Sequence, residues 1–209
     1  MKTKKQIQFF LFIIIIFIGA CNTTEKQENS DDSSQVKTDD TTIATDDNSA
    51  SIYQLEGDWK DQNNKTLQLK ELKGKIHVVA MVFTNCAYAC PKLVGNIQEI
   101  ESKLTIEDKK NVDFILVSFD VERDTPERLL AFSKEMSLTD NWILLHGNEE
   151  QTHELALVLG VKYDKQTDGS FSHSNIISVL DREGNITFQQ EGLEVPTEKT
   201  VEMIKAEIK

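Results

Sequence analysis

The chain has 209 residues and a formal net charge of −12, with 23 basic against 35 acidic side chains. That balance, with no basic cluster anywhere, excludes a surface built for phosphate backbones, so no nucleic-acid partner is expected. Three cysteines are too few for a disulfide-stapled scaffold, which turns attention to their chemistry.

The N-terminus opens with Lys2, Lys4 and Lys5, followed by an apolar stretch from Phe9 to Ile18 that is too short to span a bilayer comfortably. It ends Ile18-Gly19-Ala20-Cys21, which resembles the lipobox of bacterial lipoproteins. The resemblance implies that residues 1–20 are a signal peptide cleaved before Cys21, and that the Cys21 sulfur carries a thioether-linked diacylglycerol. Two or more acyl chains anchor stably where one is marginal. The plainer alternatives are an ordinary signal peptide or an uncleaved anchor, but polar chain follows Cys21 at once. Residues 22–50 hold eight acidic and two basic side chains, with only Val36, Ile43 and two alanines as apolar relief. No core forms from that composition, so residues 21–50 are expected to be a lipidated cysteine and a disordered acidic tether. The domain at residues 51–209 is then expected outside the cytoplasm, in the bacterial cell envelope, held to the membrane by lipid. Its length is ample for one core.

Leu67, Leu69 and Leu72 around Gly74 predict a short strand and turn. The run Val78 to Phe83 is apolar without alternation, as in a strand buried on both faces. Thr84 and Asn85 break it, Cys86 and Cys90 follow four residues apart, and Pro91 suits the first turn of a helix. Leu93, Ile97, Ile100 and Leu104 recur at helical spacing, predicting a helix over about 92–104. A second buried strand is predicted over Val112 to Phe119. Thr125 or Asp124 can cap a helix opening at Pro126, with Leu129, Leu130 and Phe132 on its apolar side. Trp142 to Leu145 reads as a third strand, and Glu149 to Leu159 as a helix ended by Gly160. Phe171 to Leu180 holds a fourth strand, turning through Asp181–Asn185 to an expected hairpin partner at Ile186–Gln190. A helix over about Thr197 to Ile208 closes the chain. Strands alternating with helices describe an α/β sandwich.

The chemistry is expected at Cys86 and Cys90. A thiol near a helix N-terminus feels the positive end of the macrodipole, which favours the thiolate, the form that attacks disulfides and binds soft metals. On a helical path residues four apart share a face, so the pair can converge on one small ion or form a strained disulfide. Two thiolates suit linear Cu(I), and a third soft or imidazole ligand makes the site trigonal. Zinc would want four ligands, and no Cys/His quartet is evident. Buried structural thiols are the plain alternative. Among the histidines, His77 and His153 suit packing or the surface and His146 ends a strand. His173 follows the polar run Gln166–Ser170 and is favoured, as a loop histidine able to swing onto a metal.

The run Phe83-Thr84-Asn85-Cys86-Ala87-Tyr88-Ala89-Cys90-Pro91 resembles the F-T-x-C-x-x-x-C-P signature of the Sco/SenC family. Ser118 to Pro126 is similar to its S-V-D-P-x-R-D-T-P segment, and Phe171-Ser172-His173-Ser174 leading to Asp181 and Gly184 is similar to its third block. The resemblance implies a thioredoxin-like fold with an inserted β-hairpin. It also implies a monomeric, membrane-tethered domain that binds copper, as Cu(I) and also Cu(II), through Cys86, Cys90 and His173. Asp120 and Asp124 would stand behind the ligands or face a partner, or else simply cap the helix at Pro126. Val121 replaces the family's usual proline, and Ala87-Tyr88-Ala89 replaces its commoner P-D-x, removing a carboxylate from the site. Tyr88 can offer an aromatic face to a partner or merely shield the cysteines.

The function expected from this resemblance is a metallochaperone that delivers copper to the dinuclear copper centre of cytochrome c oxidase subunit II. The alternative is a thiol–disulfide oxidoreductase, with Cys86 as nucleophile and Cys90 as resolving thiol. Against the alternative, Pro91, Pro126 and Pro196 are the only prolines, so no cis-proline precedes the strand that starts near Ser174. A thiol peroxidase pattern before the cysteine is missing too. A copper or redox sensor is the third reading.

Overall fold

The computed structural model describes residues 51–209. The signal peptide, Cys21 and the acidic tether expected from the sequence lie outside the described residues.

A short 3-10 turn at Ile52–Gln54 leads into β1 (Trp59–Asp61) and β2 (Thr66–Leu67), and a second such turn, Leu69–Leu72, precedes β3 (Ile76–Val82). Then follow α1 (Ala89–Ser102), α2 (Ile106–Lys109), β4 (Val112–Ser118), α3 (Pro126–Glu135), β5 (Trp142–His146) and α4 (Glu149–Val158). The chain finishes with β6 (Tyr163–Lys165), β7 (Phe171–His173), β8 (Ile176–Leu180), β9 (Ile186–Glu191) and α5 (Glu198–Ile208). Seven strands form one sheet in the order β2-β1-β5-β4-β3-β8-β9, while β6 and β7 pair only with each other. Strands β3, β4 and β5 run parallel, and β8 lies antiparallel to β3. Inserted between α4 and β8, the β6–β7 pair is the extra hairpin of the expected thioredoxin-like α/β fold.

All seven residues of β3 are buried, as its unbroken apolar run requires of a strand covered on both faces. The core is continuous through β3, β4, β5 and β8, the inner face of α1, and Val201 and Ile204 of α5. Phe114 and Trp142 stack at 5.0 Å, and the Trp142 Nε1–H donates to the buried Glu101 carboxylate at 2.8 Å. The described residues 51–209 belong to a single compact unit with one continuous core.

Two expectations need correction. The segment Phe171–Leu180 holds two strands rather than one, because Ser174 and Asn175 interrupt it. The Ser174 amide turns away to the Lys162 carbonyl at 2.8 Å, so β7 stays with the hairpin and β8 joins β3. The helix after the cysteines also starts earlier than predicted, at Ala89, which places Cys90 inside its first turn. At α3 the hydroxyl of Thr125 is the cap, accepting from the Arg128 amide, and Asp124 is not. Gly160 ends α4 with a φ of 65°, the left-handed conformation a helix C-terminus favours.

Topology gathers three loops at one end of the sheet. Val82 and Ser118 are register partners, so the segments after β3 and β4 emerge side by side. Ala80 pairs with Ile177, so antiparallel β8 enters at that same end and carries the hairpin with it. Crevices beyond the carboxyl ends of parallel strands are where α/β folds place their chemistry.

Candidate metal centre

Cys86 lies on the loop after β3, half-buried, and Cys90 is fully buried in the first turn of α1. His173 is the last residue of β7. The two sulfurs and one ring nitrogen lie within 4.8 Å of one another, the only such group of three among the described residues. Both cysteines are free thiols. Nε2 of His173 stands 3.7 Å from the Cys90 sulfur, while Nδ1 lies 3.0 Å from the Ser174 carbonyl. A carbonyl only accepts, so Nδ1 carries the proton and the Nε2 lone pair faces the sulfurs, as ligation requires. Contrary to expectation, His173 is part of a strand rather than a swinging loop, and it arrives prepositioned.

Helix α1 has no side-chain cap from Tyr88, its N-cap residue. The Cys86 sulfur takes that place, accepting the Cys90 amide at 3.3 Å. Burial alone would raise the Cys86 pKa, but the amides of Cys90, Tyr88 and Ala89 and the Cys90 thiol outweigh it, and the thiol is held below its ordinary value. Cys90 goes the other way. Burial pushes its thiol well up, and the negative charges of Cys86 and Asp124 add to the rise against one amide bond from Phe83.

Beneath the cysteine loop lies a network built on Asp124, 0% exposed. Its carboxylate accepts from the Thr84 amide (2.8 Å), the Thr84 hydroxyl (2.6 Å) and the Ser118 hydroxyl (2.6 Å). Arg128 donates to the Thr84 hydroxyl from the far side at 2.9 Å. Asp124 therefore fixes the turn that presents Cys86. Asp120, 1% exposed, pairs instead with Arg123. Phe83 and Phe119 form the floor under His173, joined by Phe171 and Tyr163 of the hairpin; Phe119 lies 5.1 Å from both Tyr163 and His173. Arg123, Arg128, Ser118 and the aromatic floor were not singled out from the sequence. Phe83, Ser118, Phe119, Arg123 and Phe171 fall inside the quoted motif blocks, whereas Arg128 and Tyr163 lie outside them and carry no local signal.

The remaining histidines stand apart from the sulfurs. His77 is buried at the head of β3 with Nδ1 on the Lys75 carbonyl at 2.9 Å. His146 ends β5, and exposed His153 on α4 faces the edge of Tyr163. Tyr88 is 65% exposed, with the Lys92 ammonium 4.4 Å above its ring. It points to solvent and does not cover the cysteines.

Two cysteine sulfurs and one imidazole nitrogen, with Cys90 buried and Cys86 and His173 partly exposed, offer three donors that would match trigonal Cu(I) once both thiols give up their protons. The profile of the SCO1/SenC family matches residues 46–209. The chain belongs to the SCO1/SenC family. A Stutzerimonas stutzeri protein named for copper binding is 28% identical over 130 residues, covering 60% of this chain; the chain spans 63% of that protein's length. The crystal structure of a SCO1/SenC family lipoprotein from Bacillus anthracis superposes with a TM-score of 0.67 at 28% identity, covering 74% of this chain and 95% of that one. ScoI of Bradyrhizobium japonicum with copper bound gives 0.62 at 25% identity, with 72% and 96% covered. The thioredoxin-like fold is the family's, and of the three quoted sequence blocks the first holds Cys86 and Cys90 and the third holds His173.

Proposed function

We propose that this Sco-family domain takes up copper through Cys86, Cys90 and His173 and passes it on as a metallochaperone. The observation that carries the reading is the convergence of two sulfurs and one imidazole nitrogen within 4.8 Å, brought together from two segments far apart in the chain, the cysteine turn after β3 and strand β7. Soft thiolates hold Cu(I) against hard competitors, and a three-coordinate ion leaves room for an incoming ligand, so transfer proceeds by ligand exchange. In keeping with the family resemblance, the recipient is the dinuclear copper centre of cytochrome c oxidase subunit II. The domain works outside the cytoplasm, anchored by lipid on Cys21; among the described residues no helix is long and apolar enough to cross a bilayer. The Bacillus anthracis neighbour, a family lipoprotein, supports the anchor.

The test is titration of residues 51–209, reduced, with Cu(I) against a competing chelator. One ion bound per chain is expected, abolished by Cys86→Ser with Cys90→Ser and weakened by His173→Ala, by roughly 10- to 100-fold on the scale of lost ligand-supporting contacts. Weak binding indifferent to His173 would overturn it.

A second reading has its own observation, the asymmetry of the thiols: Cys86 half-exposed and acid-shifted, Cys90 buried and shifted up. That is the division between an attacking and a resolving thiol. Cys86 thiolate would attack a partner disulfide, releasing one partner thiolate. Cys90 would then displace the other, leaving a Cys86–Cys90 disulfide and a partner reduced by two electrons. Stoichiometric reduction of a partner disulfide by the metal-free protein, lost in Cys86→Ser and blocked when Cu(I) is bound, would favour this reading.

A further inference from the structure

The residue that supplies the third ligand belongs to an element outside the main sheet. Among the described residues, strands β6 and β7 form a backbone ladder only with each other, so no ladder fixes the hairpin over the cysteines. Tyr163, Phe171 and His173 pack on Phe83 and Phe119. On the side toward α4 it rests on a cavity of about 360 Å³ lined by Phe119, Asp120, Glu149, His153, Tyr163 and Phe171. The ring contacts hold the hairpin against the core but are tolerant of sliding, so directional bonds add what is needed to fix its position.

Two polar ties reach the hairpin from the loop after β4. Lys165 pairs with Glu122 at 2.5 Å, but both side chains are well exposed, where such pairs are weak. The other tie runs through Arg123. Its Nε donates to the buried Asp120 carboxylate, and a terminal nitrogen donates to the Gly169 carbonyl at 2.5 Å. Gly169 sits at a φ of 78° in the tight turn between β6 and β7, a conformation that turns the carbonyl toward the guanidinium and that glycine adopts without strain. The other oxygen of Asp120 has no hydrogen-bond partner, so the whole compensation of a buried carboxylate comes through the side facing Arg123.

We propose that Arg123 is the positioning residue of the metal site: forked between buried Asp120 and the hairpin turn at Gly169, it holds β7 where His173 meets the two cysteine sulfurs. Asp120 aims and anchors the guanidinium, and the hairpin hangs from its other arm. The assignment of His173 as ligand rests on the copper reading above; the clamp itself does not.

Arg123→Ala and Arg123→Lys, made in residues 51–209, separate clamping from general stability. Lysine keeps a positive charge beside Asp120 but is a single point donor, so it cannot bridge carboxylate and carbonyl together as the planar fork does. Amide exchange in the metal-free protein should rise in both variants across residues 163–173, with β3 and β4 protected as before. Cu(I) affinity should fall by the factor that His173→Ala produces, roughly 10- to 100-fold. The double variant Arg123→Lys with His173→Ala should bind no more weakly than His173→Ala alone. Unchanged hairpin exchange in Arg123→Lys, or losses of affinity that add in the double variant, would overturn the assignment. If His173→Ala leaves Cu(I) affinity intact, the copper reading fails, and hairpin exchange in Arg123→Lys still decides whether the clamp exists.

Discussion

Cys86 and Cys90 have the same side chain and opposite acidities, and the difference is made by what surrounds each sulfur. Cys86 collects amides at the start of α1, whereas Cys90 is closed in by apolar neighbours and by negative charge. Alkylation by iodoacetamide should therefore label Cys86 at pH values where an ordinary thiol reacts slowly, and leave Cys90 unlabelled in the folded state; peptide mapping after a short pulse reads both. Equal labelling would mean that the loop opens faster than the reagent reacts. His77 is a separate residue-scale matter. Burial lowers its pKa from 6.5 to about 4, opposed by Asp113 and assisted by Lys75, and its Nε2 has no hydrogen-bond partner to offer a second proton. A depressed histidine contributes stability that is complete above its unfolded value and is lost as pH falls through the folded value. Stability should therefore decline between about pH 6.5 and pH 4 by an amount on the order of 3 kcal/mol, and His77→Leu should flatten that limb of a denaturant-midpoint profile.

Elements carry the site's geometry. The loop between β3 and α1 is held by the Asp124 carboxylate, and Asp124→Ala would leave the Thr84 amide and the Thr84 and Ser118 hydroxyls without their acceptor in a buried place. A loss of roughly 3 kcal/mol is expected, near the top of the range for bonds to a charged group, which for a domain of this size lowers Tm by about 10 °C. A calorimetric shift under 3 °C would mean the network is dispensable. The sequence made β3, β4 and the cysteine helix legible because fully buried strands and amphipathic helices impose long apolar periodicities. It hid β6, whose Tyr-Asp-Lys has no strand pattern and whose only partner is β7. It also hid the break at Ser174-Asn175, because polar residues without glycine or proline give no punctuation, yet that break moves His173 out of the sheet and onto the hairpin. The three donors were readable one by one. Arg123 as a bridge was not, since its partner at Gly169 lies 46 positions away and the contact exists only once the hairpin has docked.

At the scale of the whole molecule, the described domain carries the three converging donors, and on the proposed reading lipid on Cys21 would serve to place it. Cys21→Ser should release the protein from the membrane fraction to the soluble fraction of the cell envelope while leaving Cu(I) affinity in solution unchanged. Retention in the membrane would point to an uncleaved anchor instead.

The cap of α1 has a further consequence. The amides that ready the Cys86 sulfur by drawing on its negative charge leave that sulfur with less electron density to share. A thiolate dressed in this way is quick to take up a soft ion and slow to cling to it. On the proposed copper reading, donor strength would thus be traded for exchange rate at Cys86, and a recipient offering undressed thiolates would draw the ion downhill through that sulfur first.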